Sequence, residues 1–265
     1  MATPPTIKNA SGNYLLPQFS SIIIDRLGLP GGTTFARRIG TDSVNGAIFP
    51  ITGTDRVVKI GLVDKDTFDH GGRGDFSREV KVGRMFAQMN ANNRHRVGTP
   101  IHQAAFINVN NARGAPFVLT AYVMDNLLSV DDRRKGYTLM TLNKYQKDHY
   151  RGTCPTKKDR IRRMYTELLY FFYKSVKGWH GDLHTQNIQV ILGPAPARDV
   201  VRMVVIDYGS VVFFRNRNRL NSATCLDAIL DQIQEEANAF PENGTYWIEP
   251  HRLNPGNRYR VRGRP

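Results

Sequence analysis

Trp179-His180-Gly181-Asp182-Leu183-His184-Thr185-Gln186-Asn187-Ile188, followed by Val204-Val205-Ile206-Asp207-Tyr208-Gly209, is the stretch on which the reading of this chain turns. It presents an acid, an amide five residues later, and a second acid followed by an aromatic and a glycine. Around it the pattern is regular. Apolar residues at Ile161, Met164, Tyr165, Leu168, Leu169, Phe171, Phe172 and Val176 predict a buried helix from Lys157 to Lys177, with Thr156 able to cap it. That helix leads directly to His180. Ile188–Leu192 and Val200–Ile206 are predicted strands, joined through the Gly193–Asp199 turn. The hairpin sets Asn187 near its start and Asp207 at its far end, so both can reach one metal site.

Upstream, the chain is strand-like. Residues 1–34 are expected to be an N-terminal arm, with Ile22–Leu27 a short helix or strand inside it. Residues 35–51 predict a strand, a glycine-bounded turn and a second strand. Gly40 and Gly46 bound this turn. Such a hairpin can cover phosphate oxygens with backbone N–H groups, or be an ordinary hairpin. Arg56–Ile60 alternates as a strand and carries Lys59. Amid apolar neighbours that lysine either points inward and needs an anionic partner, or is an exposed strand lysine. Asp64–Asp75 is polar and glycine-rich, and a loop is expected. Phe76–Met89 predicts an amphipathic helix bearing Glu79, which either interacts with the helix dipole or reaches Lys59. His102–Ile107 and Pro116–Met124 are further strands. The segment from residue 35 to 125 is therefore expected to be a five-stranded antiparallel sheet with one helix. Residues 126–245 should be more helical, including a helix from about Ser222 to Phe240, and 246–265 form a basic tail.

The 265 residues suit one two-lobed domain or two small ones. No apolar run reaches the length of a membrane span, and the N-terminal residues lack a signal-peptide layout. Cys154 and Cys225 fit a reducing compartment and no metal-site spacing, though a disulfide between them stays open. An intracellular location is expected. A net charge of +14 favours anions: ATP, nucleic acid, an acidic protein or an anionic surface. Charged runs are also commonly just solvated faces.

Phosphoryl transfer needs mainly positioning and charge neutralisation. Asp182 can orient an attacking hydroxyl and accept its proton. Asn187 and Asp207 can hold Mg²⁺, or Mn²⁺, through oxygen. Lys59 can steady phosphates, itself placed by Glu79.

These residues resemble the protein kinase-like superfamily. His180-Gly181-Asp182-Leu183-His184-Thr185-Gln186-Asn187 is similar to the catalytic loop H-x-D-x-x-x-x-N, and Ile206-Asp207-Tyr208-Gly209 resembles the D-F-G metal motif with tyrosine for phenylalanine. Val57-Val58-Lys59 resembles the V-A-I-K strand, and Glu79 lies 20 residues after Lys59, near the family interval. Met124-Asp125-Asn126-Leu127 resembles the hinge that binds adenine through its backbone. Gly40 and Gly46 match the glycine-rich loop poorly. The resemblance implies an α+β bilobal kinase-like fold with an abbreviated C-lobe, and ATP and Mg²⁺ as cofactors.

Three departures set the chain apart from the regulated members of that superfamily. Gly181 replaces the arginine of kinases switched by activation-loop phosphorylation. His184 stands where most protein Ser/Thr kinases have lysine. No A-P-E motif comes after Gly209. The expected activity is that of a compact, atypical Ser/Thr protein kinase resembling the minimal kinases of large DNA viruses. Its substrates would be acidic or nucleic-acid-bound proteins, in the cytoplasm, a virion or a host nucleus. H-G-D-L-H-x-x-N is equally the pattern of aminoglycoside- and choline-type small-molecule kinases. A pseudokinase scaffold binding nucleic acid through Arg215–Arg219 and the tail is the non-enzymatic alternative.

Overall fold

The computed structural model describes residues 19–39, 46–89, 97–110, 115–150 and 152–213. Gly40, Cys225, the 215–219 cluster, the helix expected near 222–240 and the basic tail lie outside the described residues. The chain divides into two units. One comprises residues up to Ala87 together with Pro100–Asn126; the other comprises Gln88–Thr99 and the chain from Leu127.

The first unit is built on an antiparallel sheet. After helix α1 (Ser20–Arg26) come β1 (Ala47–Pro50) and β2 (Arg56–Asp64). A continuous helical run follows: α2 (Lys65–Thr67), a π-helical segment (Phe68–Gly72) and α3 (Arg73–Gln88). Strands β3 (Ile101–Asn110) and β4 (Pro116–Asp125) complete the order β1-β2-β4-β3. Side chains alternate across a strand, so the sheet has two distinct faces. Val58, Ile60, Leu119, Ala121 and Val123 share one face with Phe49, and Ile23 and Leu27 from α1 and its C-cap pack into the same buried cluster. The other face, bearing Lys59 and Tyr122 opposite each other, meets α3.

Two expectations for this unit need correction. The sheet has four strands among the described residues, not five. Residues 35–39 form no ladder with β1 but isolated bridges, Ile39 with Ile48 of β1 and Phe35 with Ile51 just past it. The Ala36 N–H bonds Pro50 O and the Ile39 N–H bonds Ile48 O. That spacing of three breaks the two-residue period of a regular ladder. The expected loop at Asp64–Asp75 is instead helical. Asp64 caps it, accepting from the N–H groups of Asp66 and Thr67 at 2.9 and 3.4 Å. Phe68 anchors the run at 1% exposure, and Asp69 pairs with Lys65 and Arg73, four residues to either side. Glu79 therefore sits well inside a helical run, away from the first-turn position that would explain it by the dipole alone.

The second unit carries α4 (Val130–Arg134), β5 (Thr138–Thr141), α5 (Leu142–Tyr145), a π-helical segment (Gln146–Tyr150) and α6 (Pro155–Val176). Then follow β6 (Gly178–Trp179), β7 (Ile188–Leu192), β8 (Val200–Val205) and β9 (Val212–Phe213). β5, β7 and β8 form one antiparallel sheet, and β6 pairs with β9. Ser129 and Asp132 form a capping box at α4. α6 starts earlier than expected. Cys154 is its N-cap without a side-chain bond, and Pro155 fills the first turn, where a missing N–H costs nothing. Thr156 lies inside the helix and does not cap it. The buried stripe of α6 is Ile161, Tyr165, Leu168, Leu169, Phe172, Tyr173 and Val176. Lys157 ties the start of α6 to Asp199 in the β7–β8 turn at 2.6 Å. Among the described residues a sheet-rich first unit and a second unit holding the longest helix make the chain α+β. Among the described residues no helix is long and apolar enough to cross a membrane.

Candidate active site

In the second unit the loop from His180 to Asn187 is pinned at several points. Leu183 is 2% exposed, and the carbonyl of buried Thr185 accepts the Asn143 N–H at 3.1 Å. His180 is fully buried, with its ring tilted against Phe172 and edge-on to Tyr208. Its Nε2 bonds the Ile206 carbonyl at 2.9 Å, and its Nδ1 has no hydrogen-bond partner. The neutral ring suits this setting, since a proton on Nδ1 would be buried unpaired. Burial accordingly holds the His180 pKa below 6.5, outweighing the opposing effects of the Ile206 bond and the Asp207 charge. The unfolded chain takes up that proton near pH 6.5 while the folded chain resists, so stability from His180 is present above pH 6.5 and lost as pH falls. Urea midpoints at pH 7 and pH 5 should show this decline, and His180→Gln should flatten it.

Gly181 has φ +81°, and a Cβ there would overlap the Ser210 carbonyl oxygen. The loop thus approaches the segment after Asp207 more closely than any side chain permits. Asp182 follows, 44% exposed. The Asn187 amide donates to the Asp182 carbonyl at 2.9 Å and lies 3.5 Å from its Oδ2. His184 Nδ1 accepts the Gln186 N–H at 3.2 Å, so the neutral ring carries its proton on Nε2, 3.8 Å from Asp182 Oδ2. The Ile206 N–H donates to the Asn187 carbonyl at 2.9 Å, which carries the ladder on to the residue before Asp207. The structure thus brings Asp182, His184, Asn187 and Asp207 to one end of one hairpin.

Asp207 has φ +63°, a left-handed conformation costing about 1–2 kcal/mol for a residue with a Cβ. Such strain persists where neighbours enforce it. Tyr208 is one enforcer. At 2% exposure its hydroxyl accepts the Thr99 N–H at 2.5 Å and donates to the Val205 carbonyl at 2.6 Å. The hydroxyl of Tyr208 therefore has a structural role that phenylalanine could not fill. Tyr208→Phe would leave the N–H of buried Thr99 unpaired and should cost about 1–3 kcal/mol in urea unfolding.

In the first unit Lys59 Nζ lies 3.0 Å from Glu79 Oε1, with side-chain exposures of 12% and 13%. This settles the inward reading of Lys59. Gly46 has φ +145°, and a Cβ there would meet the Ile60 carbonyl oxygen at 2.7 Å. Its glycine is thus explained by close approach to β2. Met124 and Asp125 end β4, and Asn126 follows. The Asp125 N–H donates to Pro100 O at 3.2 Å and the Asn126 N–H to Asp55 O at 2.9 Å. Recognition of a base through these donors would require exchanging one of those bonds. The Asp125 carboxylate also pairs with His102 at 2.6 Å.

Sequence reasoning placed His180 at the head of the loop but missed its buried bond to Ile206, and it missed the parts played by Tyr208 and by Tyr122, which faces Lys59 across β2 and β4. Tyr208 had a signal, its departure from phenylalanine. Among the described residues no group of three or more histidine, cysteine or carboxylate side chains assembles a metal site. The Asn187 amide nitrogen donates to the Asp182 carbonyl, and a carboxamide oxygen together with a carboxylate such as that of Asp207 is the donor chemistry that a hard cation like Mg²⁺ takes.

No family model matches the chain, and no curated protein does. Among solved structures, a crystal structure of WbdD matches with TM-score 0.41 and 16% identity, covering 76% of this chain and 37% of that one. A structure described as the bifunctional kinase-methyltransferase WbdD matches with TM-score 0.38 and 16% identity, covering 72% and 34%. The chain spans about a third of the length of the solved chains it matches.

Proposed function

We propose that this chain is a phosphotransferase that moves the terminal phosphoryl group of ATP to an alcohol. The observation that supports this most is the joining of Asp182, Asn187 and Asp207 by the loop bond Asn187–Asp182 and the ladder bond Ile206–Asn187. In this reading the Asp182 carboxylate orients the alcohol and accepts its proton. The alcohol oxygen bonds to the terminal phosphorus, the bond from that phosphorus to the bridging oxygen breaks, and ADP leaves with the electron pair. Asn187 and Asp207 would hold Mg²⁺, which when bound neutralises phosphate charge. Lys59, kept in place by Glu79, steadies the phosphates. Met124, Asp125 and Asn126 would meet the base.

The acceptor we favour is a small-molecule alcohol. Gly181 packs against the Ser210 carbonyl, where an arginine cannot sit, which removes the residue through which regulated protein kinases sense a phosphorylated activation loop. The His184 pattern points the same way. The competing reading, a compact Ser/Thr protein kinase, would use the same Lys59–Glu79 pair. A single experiment separates them. The full chain is incubated with Mg²⁺ and terminally labelled ATP, against a panel of alcohol-bearing metabolites and a protein lysate, and labelled products are mapped by mass spectrometry. Label on a metabolite alcohol is the expected result. Label confined to serine or threonine would replace it with the protein-kinase reading, and no label on any acceptor would overturn both.

A further inference from the structure

We propose that Tyr122 is a positioning residue for the Lys59–Glu79 pair, an assignment that rests on the phosphotransferase reading of that pair. Strands β2 and β4 set Lys59 and Tyr122 directly opposite each other, so the two side chains leave the sheet on the same face. Both reach the same atom of α3. Glu79 Oε1 accepts from Lys59 Nζ at 3.0 Å and from the Tyr122 hydroxyl. The lysine nitrogen also lies 5.5 Å from the centre of the tyrosine ring.

The two donors differ in freedom. Lys59 has a flexible four-carbon stem, and its ammonium is the group an incoming phosphate would attract. Tyr122 has two side-chain torsions and a ring that is 4% exposed. Phe76, one helical turn before Glu79, packs on that ring at 6.3 Å, and Phe106 packs on Phe76 at 6.4 Å. The phenol is therefore a fixed donor and the ammonium a movable one. When an anion competes for Lys59, Tyr122 still holds Glu79 aimed at the sheet, and the lysine exchanges between a fixed carboxylate and the phosphates. The phenol is also a durable donor. Burial first, and the Glu79 charge second, push its pKa well above 10, so it keeps its proton across the working pH range.

Tyr122→Phe keeps the ring and removes only the donor. In the full chain it should raise the KM for Mg-ATP roughly five- to twentyfold, with kcat and the acceptor KM within about twofold of wild type. In a Glu79→Ala background the same change should add less than about twofold, because the hydroxyl then has no carboxylate to hold. A merely structural tyrosine would instead lower Tm and the active fraction, leaving the ATP KM unchanged. A parallel cycle in urea unfolding needs no turnover, and there the Tyr122–Glu79 coupling should be about tenfold in the unfolding constant. An ATP KM within twofold of wild type, or a coupling below twofold, would overturn the assignment. A wild-type chain that binds and turns over no nucleotide would overturn the phosphotransferase reading itself, and with it the positioning role. The unfolding cycle would then report only whether the hydrogen bond exists.

Discussion

Asp182→Asn is expected to lower phosphoryl transfer by roughly a hundred- to ten-thousandfold, the range that a positioned general base contributes. The substitution is nearly isosteric and replaces a proton acceptor with an amide. Its structural cost should be small. The carboxylate is 44% exposed, and the Asn187 bond to the residue 182 backbone carbonyl does not involve the side chain. A Tm within about two degrees of wild type, with the ATP KM little changed, would assign the loss to the chemical step. Retained transfer at wild-type rate would remove Asp182 from the mechanism. A large fall in Tm would instead show that the carboxylate holds the loop together, which the exposed geometry does not lead one to expect.

Gly181→Ala should be the most damaging small substitution in the second unit. Two costs combine. A residue with a Cβ at φ +81° is strained by about 1–2 kcal/mol. The new methyl would also overlap the Ser210 carbonyl oxygen and lie 3.0 Å from its carbon. Backbone atoms cannot rotate away as a flexible side chain can, so either the 180–187 loop or the Tyr208–Val211 turn must move. Overpacking of this kind adds about 1–3 kcal/mol. The sum, about 2–5 kcal/mol, is a large part of the stability of an ordinary domain. Urea unfolding should show it directly. Because the displaced segments carry Asp182 and Asp207, the folded fraction should also lose activity. A variant as stable and as active as wild type would mean that the contact between Gly181 and Ser210 is looser in solution. The same geometry turns a sequence departure into a physical exclusion, since arginine meets the same carbonyl through its own Cβ.

Much of the candidate site was legible because its residues are local to one another. Asp182, Asn187 and Asp207 lie on a short loop and the two ends of one hairpin, and a short apolar, β-branched run marked Ile188–Leu192 as a strand. The Lys59–Glu79 pair was legible as one of two alternatives. What chose between them was long-range, a helix crossing the sheet face. Tyr122 was invisible for the same reason. In sequence it is one more apolar-looking residue of Phe117–Met124, and only the β2–β4 register sets it opposite Lys59. The helical run at 65–75 was misread as a loop because Gly71 and Gly72 signal a turn. They were outweighed by the Asp64 cap, buried Phe68 and its tilted packing against Phe106 and Phe76. The edge strand β5 was hidden inside a charged stretch. It is four residues long and largely half-buried, so no apolar alternation marks it. Residues 35–39 failed the other way, with strand-like composition but an irregular bond spacing that no composition reveals.

The central claim is that this chain transfers phosphate from Mg-ATP through Asp182 and the Asn187–Asp207 pair. Phosphorus NMR of the full chain with ATP, Mg²⁺ and a pool of alcohol acceptors tests it most directly. The predicted result is that the terminal phosphate signal is replaced by a phosphate monoester and ADP in step, that EDTA stops the conversion, and that Asp182→Asn slows it at least roughly a hundredfold. Unchanged ATP across that pool, or conversion that proceeds equally with Asp182→Asn, would contradict it.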